Sequence, residues 1–331
     1  MDRLGRASVT AGIAAALGVF SACGRERRET ALDQAAKPDS TAPAETVGAK
    51  PTRIGEITDL KHPESVRYDP GLDVWFVSNV NGDPSKKDNN GFISRIASTG
   101  KMDSLKFIEA GRKGVTLNGP KGLAIVADTL WVADIDAVRA FDKRTGAPIT
   151  SVNLAGKVKF LNDAAAGPDG VYFTDSGLKG DAKGQLNYVG PDQVIRIGPD
   201  RKATFVLKSD SIGGANGITW VPSQKKFLIN SFGNKSIFSW APGDKTATAI
   251  ATGPGLADGM EVLSDGRILM SSWADSSLLV VENGKAVPLA TGLATPADFG
   301  LDTKRNRVAV PMMMEDKVEF WDLPSGPSAN Q

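Results

Sequence analysis

From Arg53 onward the apolar residues do not recur at helical spacing. They come in short runs rich in β-branched and aromatic residues, bounded by Gly, Asp, Asn and Pro, which is the pattern of an all-β chain. Six of these runs share a lead-in. Pro63-Glu64-Ser65 precedes Val74-Trp75-Phe76-Val77, and Pro120-Lys121-Gly122 precedes Leu130-Trp131-Val132-Ala133. Leu161-Asn162-Asp163 stands before Val171-Tyr172-Phe173-Thr174, and Ala215-Asn216-Gly217 before Phe227-Leu228-Ile229-Asn230. Ala257-Asp258-Gly259 leads to Ile268-Leu269-Met270-Ser271, and Pro296-Ala297-Asp298 to Val308-Ala309-Val310. The middle residues of the triplets lie 57, 41, 54, 42 and 39 positions apart. A four-stranded propeller blade takes roughly 40–50 residues. The spacing therefore predicts a six-bladed β-propeller, and the two long steps predict loop insertions.

Each unit continues with two more strands, such as Val194-Ile195-Arg196-Ile197 and Ala203-Thr204-Phe205-Val206 in the third. The sixth ends at Lys317-Val318-Glu319-Phe320-Trp321-Asp322 and lacks a fourth strand, while Arg53-Ile54-Gly55-Glu56-Ile57 stands before the first unit with no partner. The N-terminal strand, about residues 53–57, is expected to join the last blade, closing the ring and covering an exposed edge. A solenoid would carry atypical caps at both ends instead. The insertions fall at Asn79–Gly91 and Ser176–Gln193, between second and third strands, and are expected to rise on the mouth side as a lid or rim. Met312-Met313-Met314 occupies the corresponding loop of the sixth unit and is a candidate for an apolar pocket wall.

The middle triplet residue falls where the innermost strand of each blade starts beside the central channel. Around the ring that column reads Glu64, Lys121, Asn162, Asn216, Asp258 and Ala297. Asn-Gly and Asp-Gly pairs also serve as plain turn chemistry. Glu64 is a poor turn former, however, and four oxygen-bearing residues in register favour a common site. Two carboxylates and two amide oxygens converging on an axis suit one hard divalent cation, Ca²⁺ first, with Mg²⁺, Mn²⁺ or Zn²⁺ as alternatives.

Composition narrows the chemistry. The single histidine, His62, excludes a three-His zinc centre, and the single cysteine, Cys23, excludes a disulfide framework. A net charge of +1 leaves no basic footprint for nucleic acid. The one cysteine follows Arg3, Arg6 and an apolar run from Ala11 to Phe20. That order describes a signal peptide over residues 1–22, and Phe20-Ser21-Ala22-Cys23 resembles a bacterial lipobox with Phe in place of the usual Leu. Cys23 is expected to carry the lipid anchor. Residues 23–52 read as a disordered tether, 53–324 as the propeller and 325–331 as a disordered tail. A monomer on the periplasmic or other extracytoplasmic face of a bacterial envelope is expected.

The column resembles the senescence-marker-protein/gluconolactonase (regucalcin-like) family of six-bladed propellers. Glu64 in His62-Pro63-Glu64, Asn216-Gly217 and Asp258-Gly259-Met260 match that family's metal-holding motifs, and Leu161-Asn162-Asp163 matches the pair that faces the substrate. The resemblance implies hydrolysis of a lactone or related ester, with Asp258 activating water and Asn162 on the border between metal and substrate. Lys121, Asp163, Asp175 and His62 are candidates for substrate contact. Two departures count: Pro63-Glu64-Ser65-Val66 replaces the typical Gly-Glu-Gly-Pro entry, and Phe160 replaces a substrate-gripping Arg. A propeller that binds a small ligand or protein partner without catalysis is the competing expectation.

Overall fold

In the computed structural model, which describes residues 50–324, the runs become strands because of where each lies in its sheet. Second strands such as Val74–Asn79, Thr129–Asp134 and Gly170–Asp175 are buried on both faces, which explains their unbroken apolar reading. Outer strands alternate, as in Met102–Glu109 and Pro148–Asn153, because one face meets water.

Six antiparallel four-stranded blades follow in chain order. The first comprises Pro63–Asp69, Val74–Asn79, Phe92–Ala97 and Met102–Glu109; the second Pro120–Val126, Thr129–Asp134, Ala137–Asp142 and Pro148–Asn153. The third is Leu161–Gly167, Gly170–Asp175, Asp192–Ile197 and Ala203–Ser209; the fourth Ala215–Val221, Lys226–Ser231, Ser236–Trp240 and Thr248–Thr252. The fifth is Ala257–Val262, Ile268–Ser272, Ser277–Glu282 and Lys285–Thr291. A single parallel bridge, Thr252 to Lys285, joins the outer strands of the fourth and fifth.

The sixth blade takes Gly300–Asp302, Arg307–Met312 and Lys317–Asp322 from the C-terminal end and Thr52–Ile57 from the N-terminal end. Thr52 pairs with Asp322 and Ile57 with Val318, so the first strand closes the ring as the strand count requires. The inner strand here is shorter than the triplet pattern implies. Asp298 turns to the first blade instead: its N–H donates to Glu64 O at 2.9 Å, and its carbonyl accepts from Val66 N at 2.9 Å.

The core is a ring of six apolar clusters, each wedged between neighbouring blades. Phe76, Leu117 and Val132 join the first and second blades, and Trp131, Ala164 and Phe173 the second and third. Tyr172, Phe227 and Trp240 join the third and fourth, Leu228, Met260 and Met270 the fourth and fifth. Leu269, Phe299 and Val310 link fifth to sixth, and Trp75, Val66 and Phe320 bring the sixth back to the first. Such packing leaves the axis to polar groups. No helix among the described residues is long and apolar enough to cross a membrane. The expected signal peptide, Cys23 anchor, most of the tether and the tail lie outside the described residues.

Candidate functional site

Five of the six column residues reach the axis through a break in pairing. The inner strands of the first five blades shift register between Pro63 and Val66, Pro120 and Leu123, Leu161 and Ala164, Ala215 and Ile218, and Ala257 and Met260. A bulge re-aims side chains in this way. The third triplet residue then lies against the next blade. A Cβ on Gly122 would sit 2.3 Å from Asp163 Cα, and one on Gly217 would sit 2.3 Å from Asp258 O, so glycine is required there. Where the neighbour leaves room, Ser65, Asp163 and Asp298 occupy that position and line the channel below the mouth.

Polar groups at the ends of second strands hold the loops that enter the column. Asn79 Oδ1 accepts from Lys61 N at 2.9 Å, Asp134 Oδ1 from Asn118 N and Gly119 N at 2.8 and 2.9 Å, and Asp175 Oδ1 from Phe160 N at 2.8 Å. Leu256 and Thr295, each two residues before a column position, hold left-handed φ values of 44° and 47°. For such residues that costs on the order of 1 kcal/mol, which the surrounding ring must over-determine.

Glu64, Lys121, Asn162, Asn216 and Asp258 form the floor of one pocket of about 90 Å³, and each is buried. Ala297 is buried beside Val80, Met313 and Trp273, so that side of the ring is apolar. Glu64 Oε2 and Asp258 Oδ1 have no hydrogen-bond partner. Asn162 Nδ2 donates to Ser176 Oγ at 3.0 Å and Asn216 Nδ2 to Ala257 O at 3.3 Å, leaving both amide oxygens as free acceptors. Burial, reinforced by the charge of Asp258, holds the Glu64 carboxyl well above the usual range, with Lys121 opposing. Asp258 is raised by burial and by Asp298. Burial pushes the Lys121 ammonium down to about 8, against the pull of Glu64. That ammonium donates to Gly119 O at 3.1 Å and lies 4.1 Å from the centre of the Phe160 ring. Two buried, mutually repelling carboxylates with unpartnered oxygens are a donor set of the kind that suits a hard cation. Among the described residues no three His, Cys, Asp or Glu side chains cluster as a metal site, so a cation here would need the amide oxygens as well.

Of the residues expected at the substrate, Lys121 lines the pocket and three others do not. Asp163 points down the channel, where its oxygens accept from Ile218 N at 2.7 Å and Ala164 N at 2.6 Å. Adjacent bulge residues diverge, so Asn162 and Asp163 face different spaces. Asp175 is fully buried and occupied by Phe160 N, Lys159 N and Gln193 Nε2. His62 is half-buried beside the mouth, with Nδ1 3.2 Å from Gly82 O.

Pro84, Phe160, Leu178, Leu186, Phe232, Trp273 and Met313 form the walls. Pro84 comes from the first insertion, and Leu178 and Leu186 from a two-stranded hairpin, Leu178–Gly180 and Leu186–Tyr188, within the second. Both insertions therefore reach the mouth. Part of this wall, Phe232, Trp273 and Met313, had a sequence signal. Val80, Phe232, Trp273 and Met313 each directly follow a second strand and donate back to His62 O, Gly214 O, Leu256 O and Thr295 O, at 3.1, 2.8, 3.0 and 3.2 Å. A second column at that offset, largely apolar, was present to be read.

Residues 74–291 match the family model described as the SMP-30/Gluconolactonase/LRE-like region. A gluconolactonase from Xanthomonas campestris is 16% identical over 83% of this chain and 95% of its own, with a TM-score of 0.62. A luciferin-regenerating enzyme is 14% identical over 83% and 95%, with a TM-score of 0.60. A structure of the nidogen/laminin complex aligns at 13% identity over 67% and 76%, with a TM-score of 0.53. These three share the fold. No curated protein matches the chain.

Proposed function

Because the chain belongs to the SMP-30/gluconolactonase/LRE-like family, we propose that it hydrolyses a lactone or related ester in the mouth pocket with the help of one divalent cation. The observation that carries this reading is the pair of buried, unpartnered oxygens, Glu64 Oε2 and Asp258 Oδ1, in a single pocket. Glu64, Asn216 and Asp258 would hold the ion, with Asn162 at its border, and Ca²⁺ fits the all-oxygen set best. When bound, such an ion polarises a substrate carbonyl as a Lewis acid.

The chain's own groups do the rest. Asp258 orients the attacking water and takes its proton at the carboxylate oxygen that faces the pocket. The bond from Asn162 to Ser176 fixes the amide, so that its oxygen orients the substrate. Lys121 places positive charge at the floor, where negative charge develops on the substrate oxygen. The walls keep bulk water out. In this reading the Arg3–Cys23 segment delivers the enzyme to the extracytoplasmic side of an envelope membrane, anchored by lipid on Cys23.

The test is metal analysis of the purified full chain after stripping and reloading, followed by a lactone and ester hydrolysis screen. One tightly held ion per chain is expected, with hydrolysis lost on stripping and restored on reloading. Asp258→Ala should lower kcat by roughly a hundredfold or more. Failure to retain any of Ca²⁺, Mg²⁺, Mn²⁺ or Zn²⁺ would sink the metal-dependent reading. Equal turnover by Asp258→Ala removes that residue from the mechanism, and a retained ion without turnover favours a binding propeller.

A further inference from the structure

The mouth pocket has a divided chemistry. Its polar side chains all lie in the floor, while the walls are Phe160, Phe232, Trp273, Met313, Leu178 and Leu186. Lys121 is already engaged by Gly119 O and the Phe160 ring. One wall atom is polar: Trp273 Nε1, which faces the Asp258 carboxylate and opposes the upward shift of its pKa. The Trp273 ring is held edge-on to Phe232, with centroids 5.5 Å apart.

The roof is set by contact between the two insertions. Leu178 and Leu186 share one face of their hairpin, where Gly180 pairs with Leu186 and Leu178 with Tyr188. A Cβ on Gly180 would sit 2.3 Å from Ser85 Oγ, so the hairpin rests directly on the first insertion. Beneath that roof the pocket measures about 90 Å³.

We infer that the site takes a small lactone or ester whose remainder is apolar, in preference to a polyhydroxylated sugar lactone. This inference rests on the hydrolase reading above and narrows its substrate. The floor serves the ester oxygens. A sugar lactone's further hydroxyls would meet Leu, Phe and Met side chains that return no hydrogen bond, and a hydrophobic pocket discriminates against one added hydroxyl by about a hundredfold.

The experiment uses the metal-loaded full chain and compares γ-hexanolactone with glucono-δ-lactone. Proton release measures turnover, and saturation-transfer NMR measures binding on the same samples. The expected result is a kcat/KM at least about tenfold higher for γ-hexanolactone. Leu178→Ser with Leu186→Ser on the partly exposed hairpin should raise KM for γ-hexanolactone and narrow its advantage over gluconolactone. Equal or better turnover of gluconolactone overturns the inference while leaving the hydrolase reading intact. Selective binding of γ-hexanolactone without turnover of either compound upholds the ligand class and removes the hydrolase reading. Binding of neither compound overturns the inference.

Discussion

Below the mouth, Arg67 joins five blades through one guanidinium group. From the first blade its Nε donates to Leu123 O of the second at 2.9 Å, and its Nη2 lies 3.2 Å from Asp298 Oδ2 at the sixth and 3.9 Å from Asp163 Oδ1 of the third. Its Nη1 pairs with Glu261 of the fifth. Replacing it by Met keeps the stem and removes the charge. At an effective dielectric of about 20, the Asp298 and Asp163 pairs are worth about 5 and 4 kcal/mol of Coulomb attraction, most of it offset by desolvation. Removing one partner of such a buried network costs about 3–5 kcal/mol, because the other charges stay buried without compensation. Arg67→Met should therefore lower the thermal midpoint, measured by calorimetry at pH 8, by about 10 °C.

The pH dependence follows from Glu261. Burial raises its carboxyl above the usual range, and Arg67 pulls it back. Without Arg67 it rises further, so the folded variant is favoured at low pH and loses stability as pH climbs through that raised value. The penalty should be largest at pH 8 and shrink towards pH 5. A loss under about 1 kcal/mol at pH 8, or a penalty that grows as pH falls, refutes the reasoning.

Gly122→Ala drives a Cβ to within 2.3 Å of Asp163 Cα and should cost about 1–3 kcal/mol in urea unfolding; Gly55→Ala, with open space at its Cβ, should cost less. Asp175→Ala strips the acceptor from the Phe160 and Lys159 N–H groups and should destabilise the fold by about 1–3 kcal/mol, while one ion per chain is still retained on metal analysis. Deleting residues 52–57 uncovers the Lys317–Asp322 edge, which should raise hydrogen exchange there and promote association by light scattering.

The propeller was legible because a blade is a local meander. Its triplet, second strand and two outer strands lie within one repeat, and each strand carries its own burial pattern. The floor was legible for a related reason: the bulge falls at the same step of every repeat, so one sequence position maps to one place in space. Direction was harder. Asn162 and Asp163 are neighbours, yet one faces the pocket and the other faces Arg67, because a bulge breaks the alternation that tells in from out. Asp175 looks like a free carboxylate in sequence, and only the fold shows three backbone N–H groups already bound to it.

By itself the chain's order determined six blades, the strand that closes them and a polar column at the axis, since all of these follow from local periodicity. Tertiary structure decided what shares the space. Ring closure brings Ser65 against Asp298, 233 positions away, and carries the hairpin at Leu178 over a floor that begins at Glu64. It also supplies the burial that leaves Glu64 Oε2 and Asp258 Oδ1 unpartnered beneath a roof lined by Leu178 and Leu186. No stretch of sequence encodes that dielectric boundary, because it exists only once the blades have met.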